Sequence, residues 1–183
     1  TSTSAVTSPA MFAVEFEGGN SSIENCTVNA KYIVISVGFE GTVTVNNCTV
    51  ASDTYAYAIF PTGGNINVTG GSYEGDLYIY DLYDGAPASK ITIGGKVLAA
   101  DNMVTTVDAL KTAIEKGGEI ILGADVTLTE TITISGNVTL NLNGNSLDAS
   151  SIKGRPFDMQ DGSSLTINGG TSVVKVGKYG LVN

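Results

Sequence analysis

The chain predicts an all-β fold, a right-handed parallel β-helix with about 22–25 residues per coil. Three observations carry that expectation. A short cassette returns along the chain at residues 23–28 (IENCTV), 45–50 (VNNCTV), 68–73 (VTGGSY), 142–147 (LNGNSL) and 167–171 (INGGT), with a weaker copy at 91–95 (ITIGG). Each copy sits beside an alternating apolar–polar run, the period of a strand with one buried face. The turn column holds only Asn and Gly: Asn25, Asn47, Gly70, Gly144 and Gly169. Those two residue types enter the left-handed backbone region at least cost, so these five positions read as αL turns. A repeat of this length cannot bury its apolar face alone and must stack on its neighbours.

In chain order, residues 1–9 (TSTSAVTSP) are polar and strand-poor and read as a linker or arm. Residues 10–104 read as β-helix coils. The alternating runs Val43-Thr44-Val45 and Ile66-Asn67-Val68 precede turns; Ile33-Val34-Ile35, Ala56-Tyr57-Ala58 and Leu77-Tyr78-Ile79 follow them. Cys26 and Cys48, 22 residues apart, fall in one column. Adjacent parallel strands lie about 4.8 Å apart, within disulfide reach. The pair therefore reads either as two small thiols stacked in the core or as a disulfide between coils. Two thiols without His or a CxxC spacing make no zinc site.

At 105–117 the period changes. Val107, Leu110, Ala113 and Ile114 form one apolar helical face; Thr105 or Thr106 can cap the start, and Gly117-Gly118 ends it. Residues 118–183 return to coils. The amphipathic helix, the run GGEIILGADVTLTETITI and then NVTLNLNGNSL resemble the opening of pectin-lyase-like β-helix modules of bacterial surface proteins, most strongly over 105–170. The resemblance implies that the helix caps the open N-terminal end of a coil stack. It concerns the fold alone and brings no catalytic residue with it. A starting cap in mid-chain implies either the tail of one module followed by the head of the next, or a permuted unit. In the permuted unit, the coils after 118 stack on coils beginning near Met11, within one molecule or between neighbours. Stacking between neighbours, a heterologous contact that does not close, propagates into a filament.

The chemistry legible in the sequence is sparse. With no His, Ser-His-Asp and Cys-His triads and His-ligated metals are excluded. No catalytic residue, metal or cofactor is expected. Enzymes of the resembled fold that cleave pectin-like polymers use clustered Asp with calcium and a basic residue, or paired Asp. The only arginine, Arg155, stands near Asp158 and Asp161, in a loop that reads more simply as a surface ion pair. Glu74, Asp76, Asp81 and Asp84 gather without EF-hand order. The best binding or interface candidate is aromatic: six of the eight tyrosines fall in residues 55–83. Period two puts each pair, Tyr55 with Tyr57 and Tyr78 with Tyr80, on one face, and a 23-residue spacing stacks Tyr55 over Tyr78 and Tyr57 over Tyr80. With Asp81 and Asp84 at its rim, such a ladder suits a sugar ring or a partner surface. The outward column Asn141, Thr166, Ser22, Thr44, Asn67 and Thr92 is too mixed for the flat Thr array of an ice-binding solenoid.

The net charge of −9 argues against nucleic acid and anionic membrane surfaces. No stretch approaches the ~18 apolar residues of a membrane span. No signal peptide is visible, and the start at Thr1 reads as a mature or excised fragment. Low Lys content and Thr/Asn/Gly richness point to an extracellular or cell-surface location. The expected function is a structural surface module or head-to-tail fibre, partnered by copies of itself or by adjacent modules. The alternative is a polysaccharide-binding or polysaccharide-cleaving β-helix, with an ice-binding β-solenoid a distant third.

Overall fold

The computed structural model, which describes residues 6–8, 12–38, 40–169 and 174–176, is a β-solenoid: mostly parallel strands stacked in coils, with one short helix. The chain forms two compact units, one ending at Asp101 and the other beginning at Asn102.

The first unit contains β1 (Val6–Ser8), β2 (Phe12–Phe16), β3 (Gly19–Glu24), β4 (Thr27–Ala30), β5 (Ile33–Val37), β6 (Gly41–Asn46), β7 (Cys48–Ile59), β8 (Asn65–Val68), β9 (Gly71–Ile79), β10 (Lys90–Ile93) and β11 (Lys96–Ala100). One sheet runs β3-β6-β8-β10, all parallel. A second is divided by the length of β7, which pairs β4 through Thr49–Ser52 and β5 through Tyr55–Ile59. The register between the second and third coils is 22 residues on every face, as Ile23↔Val45, Val28↔Val50 and Ile35↔Tyr57 show. Alternation therefore stacks like on like, and Val28, Ile35, Val45, Ile59, Ile66 and Ile91 fill the interior.

Two details depart from the sequence expectation. Val6–Ser8, inside the stretch read as linker or arm, form β1 and pair with β4; residues 1–5 and 9 of that stretch lie outside the described residues. The weak cassette at 91–95 does not lead into another coil. Gly94 (φ 58°) and Gly95 (φ 84°) make a two-residue hairpin turn, and β11 runs back antiparallel on β10. Two successive positive-φ residues match the right-handed twist of a hairpin, so this GG pair ends the parallel sheet.

The second unit holds β12 (Met103–Val104), α1 (Val107–Lys116), β13 (Gly118–Leu122), β14 (Val126–Thr127), β15 (Ile132–Ile134), β16 (Asn137–Asn141), β17 (Leu147–Ala149), β18 (Phe157–Met159), β19 (Ser164–Asn168) and β20 (Val174–Val176). Three parallel faces result: β12-β13-β16-β19, β14-β17-β20 and β15-β18. The Thr106 side chain caps α1 by accepting from the Ala109 N–H at 3.2 Å, and Gly117 (φ 75°) ends it, donating to Ala113 and Ile114 carbonyls. Leu110 and Ile114 are buried in the core with Ile120, Leu140 and Phe157, so the helix closes the first coil of this unit. The outward column differs from its sequence reading. Thr139, not Asn141, pairs with Thr166, because the loop between β16 and β19 makes this coil 27 residues long.

Candidate functional site

Turn geometry positions everything else. Asn25 (φ 53°) and Asn47 (φ 50°) occupy the left-handed region in successive coils. The Asn47 amide donates to Asn25 Oδ1 at 2.8 Å, a ladder rung outside the core. In the next coil the left-handed residue is Gly71 (φ 86°) rather than Gly70. A Cβ on Gly71 would lie 1.9 Å from the Cys48 carbonyl oxygen, whereas one on Gly70 would meet only ordinary contacts at 3.6 Å and beyond. In the second unit Gly144 (φ 81°) shares its turn with Asn143 (φ 50°), which sequence reasoning missed. The Asn143 and Asn145 amides both donate to the Leu122 carbonyl, at 3.2 and 2.7 Å, tying this turn to the coil before it. Gly169 has φ 158°, close to extended backbone and not αL.

These turns bring Cys26 and Cys48 together, with sulfurs 3.1 Å apart and no disulfide. Cys48 is buried, and its Sγ also faces the Asn46 and Ile23 carbonyls at 3.4 and 3.6 Å. Burial, then the hydrogen bond and charge of Cys48, push the Cys26 thiol up to about 11.

The tyrosine ladder is only partly the one expected. Tyr55 and Tyr78 stack, with centroids 4.9 Å apart and planes 22° from parallel. Tyr80 does not lie on Tyr57. It stacks on Phe60 at 5.2 Å and meets Tyr78 edge-on at 4.6 Å. Tyr57 points inward, fully buried, with its ring 5.7 Å from that of Tyr73. The cause is an irregular register. Tyr55 pairs with Asp76 but Tyr57 with Leu77, so two residues of β7 are spanned by one step of β9 and the alternation breaks at Ala56. Burial raises the Tyr57 phenol far above its ordinary range, and its hydroxyl, out of reach of solvent, has no hydrogen-bond partner. Tyr80 is raised too, by burial and then by Tyr55 and Tyr78.

Asp81 is exposed. Asp84 lines an open cavity of about 450 Å³ with Glu40, Thr62, Tyr83 and Pro87, to which none of the four candidate tyrosines contributes. Thr62, donating to the Gly38 carbonyl, ties the cavity wall to the preceding coil. Ser89, buried and unremarked in the sequence, holds the loop behind it: its Oγ accepts from Gly64 N–H at 3.0 Å, and its N–H donates to Asp101 Oδ1 at 2.7 Å.

Arg155 and Asp158 line a second open cavity of about 380 Å³ with Thr131, Thr133 and Phe157. The Arg155 carbonyl accepts from Thr131 Oγ1 at 2.8 Å, a contact that stitches coil to coil. Among the described residues no group of three or more His, Cys, Asp or Glu side chains is placed to hold a metal ion. Nor, among those residues, is any helix long and apolar enough to cross a membrane. Comparison with family models, curated proteins and solved structures returns no match.

Proposed function

We propose that this chain is a structural, non-catalytic β-solenoid module of the cell surface whose coil ends join further coils head to tail, from copies of itself or from adjacent modules. One observation carries the reading: in each unit one outermost layer has no further strand beyond it among the described residues. The outer edges of β1, β2 and β3 bear no described strand, and neither do those of β18, β19 and β20. The inward residues of these layers are only partly buried, among them Val14, Phe16 and Ile23 in the first unit and Met159, Leu165 and Ile167 in the second. Their counterparts one layer inward, Ile35, Val45, Val138 and Leu140, are at most 2 % exposed. A further coil laid on such an edge would satisfy its backbone groups and complete the burial of those side chains. Elsewhere β11 covers the free edge of β10, and α1 packs beside β12, β13 and β15.

The pectin-lyase-like kinship belongs to the same proposal and rests on the resemblance over 105–170. The non-catalytic reading rests on a His-free sequence. The extracellular placement rests on composition. Sedimentation velocity over a hundredfold concentration range tests joining: a ladder of species growing with concentration is expected, and one monomeric species throughout overturns it.

One observation favours a second reading, polysaccharide binding: the continuous Tyr55–Tyr78–Tyr80–Phe60 stack, with Tyr78 38 % exposed. It predicts retardation in gels containing a uronic-acid polymer or a neutral glucan, lost in Tyr78→Ala. Unretarded migration of the intact chain in both removes it.

A further inference from the structure

Cys26 and Cys48 occupy one position in two successive coils, and everything around them fixes that alignment. The αL residues Asn25 and Asn47 precede them and are joined by their own hydrogen bond. Thr27 and Thr49 follow and pair in register, and Thr49 N–H donates to the Cys26 carbonyl at 2.8 Å. The backbones therefore stand at the separation of adjacent parallel strands, within the Cα range a disulfide requires. The sulfurs already touch at 3.1 Å, so bonding them takes side-chain rotation and no movement of the ladder.

The pair is also isolated and asymmetric. The next position in the column is Gly71, where a Cβ would strike the Cys48 carbonyl, so no third thiol can join. No third metal-ligating side chain gathers here among the described residues, which leaves the pair without a metal donor set. Cys48 is 1 % exposed while Cys26 is partly open to solvent. One thiol can meet a reagent and the other can only meet its neighbour.

We propose that Cys26 and Cys48 are a cross-linking pair that closes to a disulfide, stapling the second coil to the third, when the chain meets a small-molecule disulfide oxidant. Cys26 gives its proton to solvent, and its thiolate attacks one sulfur of the oxidant. The oxidant's S–S bond breaks and one thiol leaves after taking up a proton. Cys48 then loses its proton, and its thiolate attacks the Cys26 sulfur of the mixed disulfide, releasing the second thiol. The protein loses two electrons and two protons, and the oxidant gains both. The raised pKa of Cys26 keeps its thiolate scarce at neutral pH, so closure is slow there and quickens as pH rises. Both thiols lie within one unit, so the staple is independent of how coil ends are joined.

The test uses the full chain equilibrated with oxidised and reduced glutathione. Trypsin cuts after Lys31 and Lys90, which places Cys26 and Cys48 in different peptides. In oxidant, the two peptides are expected to stay linked, the intact mass to fall by two hydrogens, and thiol titration in denaturant to read none. The closed form is expected to melt about 10 °C above the reduced form, because the bond shortens the unfolded chain's reach. Cys26→Ser and Cys48→Ser should each abolish the oxidant-dependent rise. Two titratable thiols in oxidant, linkage between molecules only, or a closed form that melts no higher than the open one overturns the proposal; the first two need no variant.

Discussion

Replacing Asn47 with valine separates the turn backbone from everything else the coil contributes. Asn47 sits at φ 50°. An L-residue held in that region costs about 1–2 kcal/mol, and a β-branched residue belongs at the upper end. The substitution also removes the 2.8 Å amide bond to Asn25. A hydrogen bond of this kind contributes about 0.5–1 kcal/mol net. Together Asn47→Val should lose about 2–3 kcal/mol. Asn47→Gly removes the same hydrogen bond but tolerates the backbone, so it should lose no more than about 1 kcal/mol. The difference between the two variants is the backbone term. Urea denaturation followed by tyrosine fluorescence is the assay: the chain has no Trp, and all its tyrosines except Tyr179 precede Asp101, so the signal reports the first unit. Valine and glycine variants within about 0.5 kcal/mol of each other would refute the reasoning, because the αL strain would then be absent.

Three further outcomes follow from the same geometry. Tyr57→Phe removes a buried hydroxyl that has no partner and should raise stability by about 1 kcal/mol in the same assay; a loss of that size would mean the hydroxyl is satisfied. Gly71→Ala should cost more than about 2 kcal/mol and Gly70→Ala less than about 1, and the reverse order would return the left-handed position to Gly70. Cys26, held up to about 11 from an ordinary 9.0, keeps its proton in the folded chain after the unfolded chain has lost it. Stability should therefore fall as pH rises from 9 toward 11, and Cys26→Ser should flatten that slope in urea titrations at fixed pH; an unchanged slope contradicts the assigned burial.

The coil stack was legible because two kinds of signal coincided: alternation on the strands and a turn position confined to Asn and Gly. Asn25 and Asn47 could be placed because an asparagine between a strand and CTV has few other reasons to be there. Gly70 and Gly71 could not be told apart, since two adjacent glycines are equally free to take positive φ and only the approach to the Cys48 carbonyl decides. The weak cassette at 91–95 has the composition of a coil turn, but its hairpin depends on what Lys96–Ala100 pair with, a tertiary fact. Tyr57 misled because period-two counting assumes an unbroken ladder, and the irregularity at Ala56 sends its ring into the core. Of the candidate binding surface, the Tyr55–Tyr78 contact was readable from spacing. The Phe60–Tyr80 stack and the place of Asp84 in a cavity lined by none of the four candidate tyrosines were not, since both depend on the path of the loop after β9.

Negative-stain electron microscopy of the purified chain, imaged at rising concentration, tests the proposed joining of coil ends most directly. Unbranched rods of constant width that lengthen with concentration are the expected result. Separate particles of single-chain size at every concentration, with no end-to-end contact, would contradict the account.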